Sequence, residues 1–362
     1  MKKTVLILIL LFVSFYNLTC KRHSPINNFS FDNIYFYAIQ EDVSKIIEAI
    51  NSIPTDSLTT DQREMKEKYI SRFSTRTEKF DFETNDSLII NVLTLFQNYW
   101  TDVLMKKESL RAAGEKNGLL LMNFISSYNQ RRGEIPRNNL NMDNMMPTLS
   151  NLLKQNGYYS RIDRTGNIMD LIIWTKQLKE TYTLNIVDSV VNVPVVFIDS
   201  TVTLGWEGYA TFGHFYPGGW TSADTLYCIK KDYDINSEKF RVSYLTHETQ
   251  HLLDAKTYSG YSRWVAEYRA KLAELSTAEQ TVYSLIDAFI KGSKNDSRLT
   301  HPFAEYKLIS NLSKNIFKEK FVADMQKWDK VPYQEINKTA KELLKQNSIT
   351  LTKIKHSLQH GQ

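Results

Sequence analysis

The sequence predicts an α+β protein, mainly helical, with a small mixed β-sheet in its middle. Three observations carry this. Apolar residues recur at helical spacing from about Tyr35 to Gly157. β-like runs punctuated by turn residues occupy Tyr158 to Lys230, and helical spacing returns from Asn236 to the end. The 362 residues are 42% hydrophobic and 23% charged, the balance of a folded globular chain. At roughly 150 residues per domain, this length corresponds to two domains or one large lobed one. Only 13 Gly and 8 Pro occur and no repeat stands out at solenoid periods, which excludes low-complexity and repeat architectures. The net charge of +5, from 45 Lys+Arg against 40 Asp+Glu, is dispersed along helical faces. That leaves no basic stripe for nucleic acid.

Residues 1–20 read as an export signal. Lys2 and Lys3 precede an apolar run from Val5 to Phe15, too short to span a bilayer but right for a signal-peptide core. The following Asn17-Leu18-Thr19-Cys20 resembles a bacterial lipoprotein signal, which implies Cys20 as the lipidated first residue. An aliphatic residue is usual at Asn17 and a smaller one at Thr19. A plain cleaved signal or a retained anchor are the alternatives. All three imply an exported protein, and the first places it in the cell envelope, held to a bacterial membrane by its lipid. Of the two cysteines, Cys228 is then alone and reads as a buried strand residue.

Residues 21–34 are polar and aperiodic, a tether. The region 35–157 is helical: Glu41 to Ile53, Asp61 to Phe73 with Asp61 and Glu64 as a capping box, Ser87 to Lys106, Gly118 to Tyr128, and Met146 to Gln155 ended by Gly157. Next come β runs at Tyr158–Ile162 and Ile168–Trp174 around a Gly166-Asn167 turn, then Tyr182–Val187, Val193–Ile198 and Asp224–Lys230, with Pro194 near a sheet edge. Helices follow at about Glu238–Lys256, from a cap at Ser262 to Leu275, and from a capping box at Ser276-Thr277-Ala278-Glu279 to Lys291. Pro302–Lys318 and Pro332–Gln346 complete the series.

The chemistry lies in His247-Glu248-Thr249-Gln250-His251, an H-E-x-x-H string within a helical stretch. Residues i and i+4 share a helix face, so both imidazoles reach one ion, and zinc takes neutral imidazole nitrogen. Glu248 stands next to that ion without ligating it. A third ligand is needed. Glu267 is the best candidate, 16 residues after His251 on the next helix, with Glu274 seven residues further as the fallback. Asp254, on the same helix flank as His251, is placed to accept the second N–H of a ligand histidine, and a surface role stands beside that.

This set resembles the gluzincin zinc metallopeptidases, in which a glutamate on a following helix completes the site. The metzincin pattern is excluded, because Asp254 and Thr257 stand where it needs Gly and His. The resemblance covers Glu238 to Leu275. It implies a zincin-like metallohydrolase region at 158–362 with the sheet beside the H-E-x-x-H helix. It also implies Zn2+ as cofactor, a peptide or protein as substrate, and Glu248 as the base that takes a proton from water and delivers it to the leaving amine. A second oxyanion donor would come from Tyr261, the catalytic candidate, or from Tyr258, Arg269 or His214. The strand at Asp224–Lys230 would align an extended peptide. Gly205–Ala210 and Gly218–Trp220 would wall the cleft or form ordinary turns. Two rivals remain open: a zinc hydrolase of a non-peptide amide or ester, and a non-catalytic envelope binding protein on a zincin-like scaffold. No Walker loop, dinucleotide fingerprint or nucleophile elbow is present.

Overall fold

Apolar residues three and four apart set the helices of the first third of the chain: α1 (Ile34–Ala38), α2 (Val43–Ser52), α3 (Thr60–Tyr69), α4 (Ser87–Leu104), α5 (Leu110–Arg131) and α6 (Met145–Gln155). The computed structural model describes residues 29–79, 82, 84–133, 140–186, 189–258 and 260–360. The signal, Cys20 and the start of the tether lie outside the described residues. The end of the expected tether is folded: Phe31–Asn33 forms a turn and Ile34 is buried. The N-cap box of α3 is made by Thr59 and Gln62, not by Asp61 and Glu64. Thr59 has the extended backbone a cap requires, whereas Asp61 is already inside the helix. Gly157, at φ +86°, ends α6 as expected.

One five-stranded mixed sheet follows, in the order β1-β2-β3-β5-β4. The strands are β1 (Tyr159–Thr165), β2 (Ile168–Ile186), β3 (Ser189–Leu204), β4 (Gly219–Ser222) and β5 (Thr225–Ile229), with α7 (Gly205–Ala210) between β3 and β4. The short runs expected at 168–174 and 182–187 fall, as far as Ile186, in the single long β2, and Val187 lies outside the described residues. Pairing between β3 and β5 begins at Val195, so Pro194 sits where that flank of β3 has no strand partner. The helices of the first third share one core with β1, β2 and α7. Trp100 Nε1 donates to the Met169 carbonyl and Tyr69 Oη to that of Ala210.

The last third is helical: α8 (His247–Thr257), α9 (Arg263–Thr277), α10 (Val282–Gly292), α11 (Thr300–Ile316), α12 (Met325–Trp328) and α13 (Tyr333–His360). Wide π-type turns at Phe240–Thr246 lead into α8, so the helix expected from Glu238 is present. The box expected at Ser276 to Glu279 does not form. Instead α9 runs through to Thr277, and the Glu238 carboxylate, distant in sequence, accepts from the N–H groups of Glu279 and Thr281. No helix among the described residues is long and apolar enough to cross a membrane.

Strand register places the sheet on α8. Val195 and Phe197 lie beside Leu226 and Cys228, and this face packs on Phe240, Tyr244, Leu245 and Leu252. Gly219 and Thr221 pair with Cys228 and Leu226, so they face the same way. Trp220 and Tyr227 point to the opposite face and stack at 5.3 Å. Gly219 is required where it stands: a Cβ there would come within 2.5 Å of the Tyr227 carbonyl oxygen and 2.7 Å of the Tyr244 ring.

Candidate metal centre

A helix buried on every side has to satisfy its polar side chains internally. In α8, His247, Glu248, Thr249, Gln250, His251 and Asp254 are all buried. The partners they take from other elements come from α9 and β4, and these define the site.

His247 and His251, one turn apart, bring their Nε2 atoms within 3.0 Å of each other. Glu267 of α9 meets both: Oε2 is 3.6 Å from His247 Nε2 and Oε1 is 3.5 Å from His251 Nε2. One ligand atom from each of the three lies within 4.8 Å of the others. Bonds of about 2.0–2.1 Å around a tetrahedral ion would separate its ligand atoms by roughly 3.3 Å, so the observed triangle fits one small cation. The donor set, two imidazoles and one carboxylate, suits zinc and other first-row divalent ions. The buried Glu267 Oε2, Glu248 Oε1 and His251 Nδ1 take no regular hydrogen bond. Buried polar atoms left so are uncommon, and two of these three belong to the carboxylates of Glu267 and Glu248, beside or next in sequence to the candidate ligand histidines.

The carboxylate on the far side of His247 is Glu274, whose Oε1 is 2.6 Å from Nδ1. This fixes the ring so that Nε2 turns toward Glu267. The position expected of Asp254 is therefore filled by Glu274, which is neither a fallback ligand nor a surface group. Asp254 instead accepts from Gln250 and, through both oxygens, from Arg269. Arg269 is committed to that pair and to Asn347 and Ser348. Tyr258 lies against the Arg269 guanidinium and packs edge-on to Tyr261. His214 is exposed and stacks on Tyr35 at the edge of the N-terminal core. None of the four expected oxyanion donors has a described contact with the ligand triad.

Electrostatics follows the geometry. Burial pushes Glu248 up to about 7. Burial drives His251 down to about 3, favouring the neutral, ligating form. Burial opposes ionisation of Glu267, but His301, His251 and His247 outweigh it and hold the carboxyl well below its usual range. Burial lowers His247, and the Glu274 carboxylate reverses this and raises it.

Sequence reasoning missed Thr221 and His301. Thr221 Oγ1 donates to Glu248 Oε2 at 3.1 Å, leaving Oε1 free. His301 places Nδ1 3.1 Å from Glu267 Oε2. The strand expected to align a peptide, β5, is interior, paired on both flanks, so the available edge beside α8 is β4. Of the expected cleft walls, Gly205–Ala210 is α7, with Trp206 and Tyr209 in the core, while Gly219 and Trp220 lie on β4. Cys228 is buried and burial pushes its thiol up, against a catalytic role. No family model, curated protein or solved structure matches the chain.

Proposed function

We propose that the protein is a zinc-dependent hydrolase, a peptidase first, exported and held to a bacterial membrane through Cys20. The observation that carries this is the Glu248 carboxylate, buried on the turn of the ligand histidines, with Oε2 fixed by Thr221 and Oε1 free. Two histidines and a carboxylate also serve non-haem iron, and the added buried carboxylate favours hydrolysis.

His247, His251 and Glu267 would hold the ion. When bound, it supplies Lewis acidity, acidifying water and polarising a carbonyl. Glu248 takes the water proton at Oε1 and returns it to the leaving group, while Thr221 stops the carboxylate from rotating away. The free edge of β4 offers backbone N–H and C=O groups to an extended chain, the usual way of adding a peptide strand to a sheet. This edge supports a peptide over a small ester.

The test is metal content and hydrolysis of the purified protein. The expected result is about one zinc per chain, lost in His251→Ala and Glu267→Ala. Glu248→Gln should keep the metal and lose about 10²–10⁴-fold of peptide cleavage. Metal binding without cleavage of any peptide, amide or ester would favour the binding-protein alternative. Absence of metal after loading would end the hydrolase reading.

A further inference from the structure

Resting on the metal-site reading above, we propose that His301 is the positioning residue for Glu267, seated by a second, fully buried ion pair four residues further along the same two helices. On α9, Glu267 and Lys271 are separated by one turn and share a face. On α11, His301 and Glu305 have the same spacing. The two faces meet rung to rung: Glu267 Oε2 with His301 Nδ1 at 3.1 Å, and Lys271 Nζ with Glu305 Oε1 at 3.1 Å. The two contacts are one turn, about 6 Å, apart along each helix.

The rungs differ in burial, and that assigns their roles. Lys271 and Glu305 are both sealed, their side chains 5% and 4% exposed. The Lys271 ammonium also lies 4.6 Å from the centre of the Phe289 ring. Space for the Glu305 carboxylate exists because residue 292 is glycine: a Cβ there would meet Glu305 Oε2 at 2.2 Å. A sealed pair of this kind penalises any slip that would part its charges, so it fixes the register of α11 on α9. His301, 42% exposed, is carried by that register to the solvent side of Glu267.

The neutral imidazole already has the N–H this task needs. Its contact with Oε2 lies off the hydrogen-bond axis, since Oε2 has no regular hydrogen bond. Rotation of the exposed ring brings the N–H into line. With Oε2 so held, Glu267 presents Oε1, the atom nearer His251 Nε2, as a single-oxygen ligand.

The experiment measures zinc affinity of the full-length protein by chelator competition, with the visible absorption of the cobalt(II)-loaded form as the second readout. His301→Ala should weaken zinc binding about 10–100-fold and change the cobalt spectrum. Its melting temperature without metal should be close to wild type, because the ring is half-exposed. His301→Asn, whose amide nitrogen takes the place of Nδ1, should recover both readouts. Wild-type affinity and spectrum in His301→Ala would overturn the proposal, as would failure of His301→Asn to recover either. If wild type itself binds neither zinc nor cobalt, the metal-site reading falls and takes this one with it. Metal bound by wild type and lost in Glu267→Ala, but indifferent to residue 301, would overturn this proposal alone.

Discussion

Removing the Arg269 guanidinium tests what holds together the two helices that carry the candidate metal ligands. Arg269 of α9 grips Asp254 of α8 through Nε at 2.7 Å and a terminal nitrogen at 2.8 Å. Its other nitrogen reaches Asn347 and Ser348 of α13. In Arg269→Met, Asp254 keeps only its bond from Gln250, inside the protein. Two charge-assisted hydrogen bonds at about 1.5–3 kcal/mol each, against a similar cost for breaking a buried pair from one side, give an expected loss of about 3–5 kcal/mol. That is a large part of an ordinary stability of about 5–15 kcal/mol. The assay is urea unfolding of metal-free protein, followed by tryptophan fluorescence, so that metal linkage does not enter. The double variant Asp254→Leu/Arg269→Met removes both charges and should recover at least about 2 kcal/mol of the loss. A single variant costing under about 1 kcal/mol, or a double variant as unstable as the single, would refute the assignment of this pair as the staple.

Three further outcomes are expected. Burial, with the Asp170 charge nearby, raises Glu207 to about 8, above its ordinary 4.5. An acid raised on folding holds its proton in the native state, so stability falls as pH rises from about 4.5 to 8, by at most roughly 1.4 kcal/mol per unit. Glu207→Gln should flatten that slope in melts at pH 5.5 and 8.5, and parallel slopes would sink the assignment. Gly219→Ala forces β4 off the Tyr244 ring and the Tyr227 carbonyl. A destabilisation of about 1–3 kcal/mol in denaturant titration is expected, and a neutral effect would mean that β4 is not seated as described. Glu274→Ala removes the carboxylate partner of His247 Nδ1 and should weaken zinc binding about 10–100-fold by chelator competition. An unchanged affinity would mean that Glu274 does not orient the ring.

Much of this molecule is local. Helical spacing located the stretch from Ser87 to Leu104 within two residues, because a buried helix face repeats in the sequence itself. The H-E-x-x-H string put two imidazoles on one face because i and i+4 must coincide on any α-helix. Glu267 and Glu274 were legible as candidates from their place on the helix that follows, 16 and 23 residues after His251. That Glu267, Lys271 and Glu274 are all buried, among Ala266, Ala270, Leu272 and Ala273, came from the structure.

What each carboxylate does was decided only by packing. Asp254, Glu267, Glu274 and Glu305 are the same functional group to a sequence. Their roles as Arg269's partner, candidate ligand, imidazole anchor and Lys271's partner follow from which atoms come within about 3 Å after α8, α9 and α11 dock. The expected box at Ser276 failed because Glu238, about forty residues away in sequence, supplies the N-terminal carboxylate of α10. The register of β4 on β5 aimed Thr221 at Glu248, and the docking of α11 on α9 brought His301 to Glu267. Local periodicity determines which face a side chain shares. Only the docking of distant faces determines which group it meets, because hydrogen bonds and ion pairs act over a few ångströms and sequence separation carries no such distance.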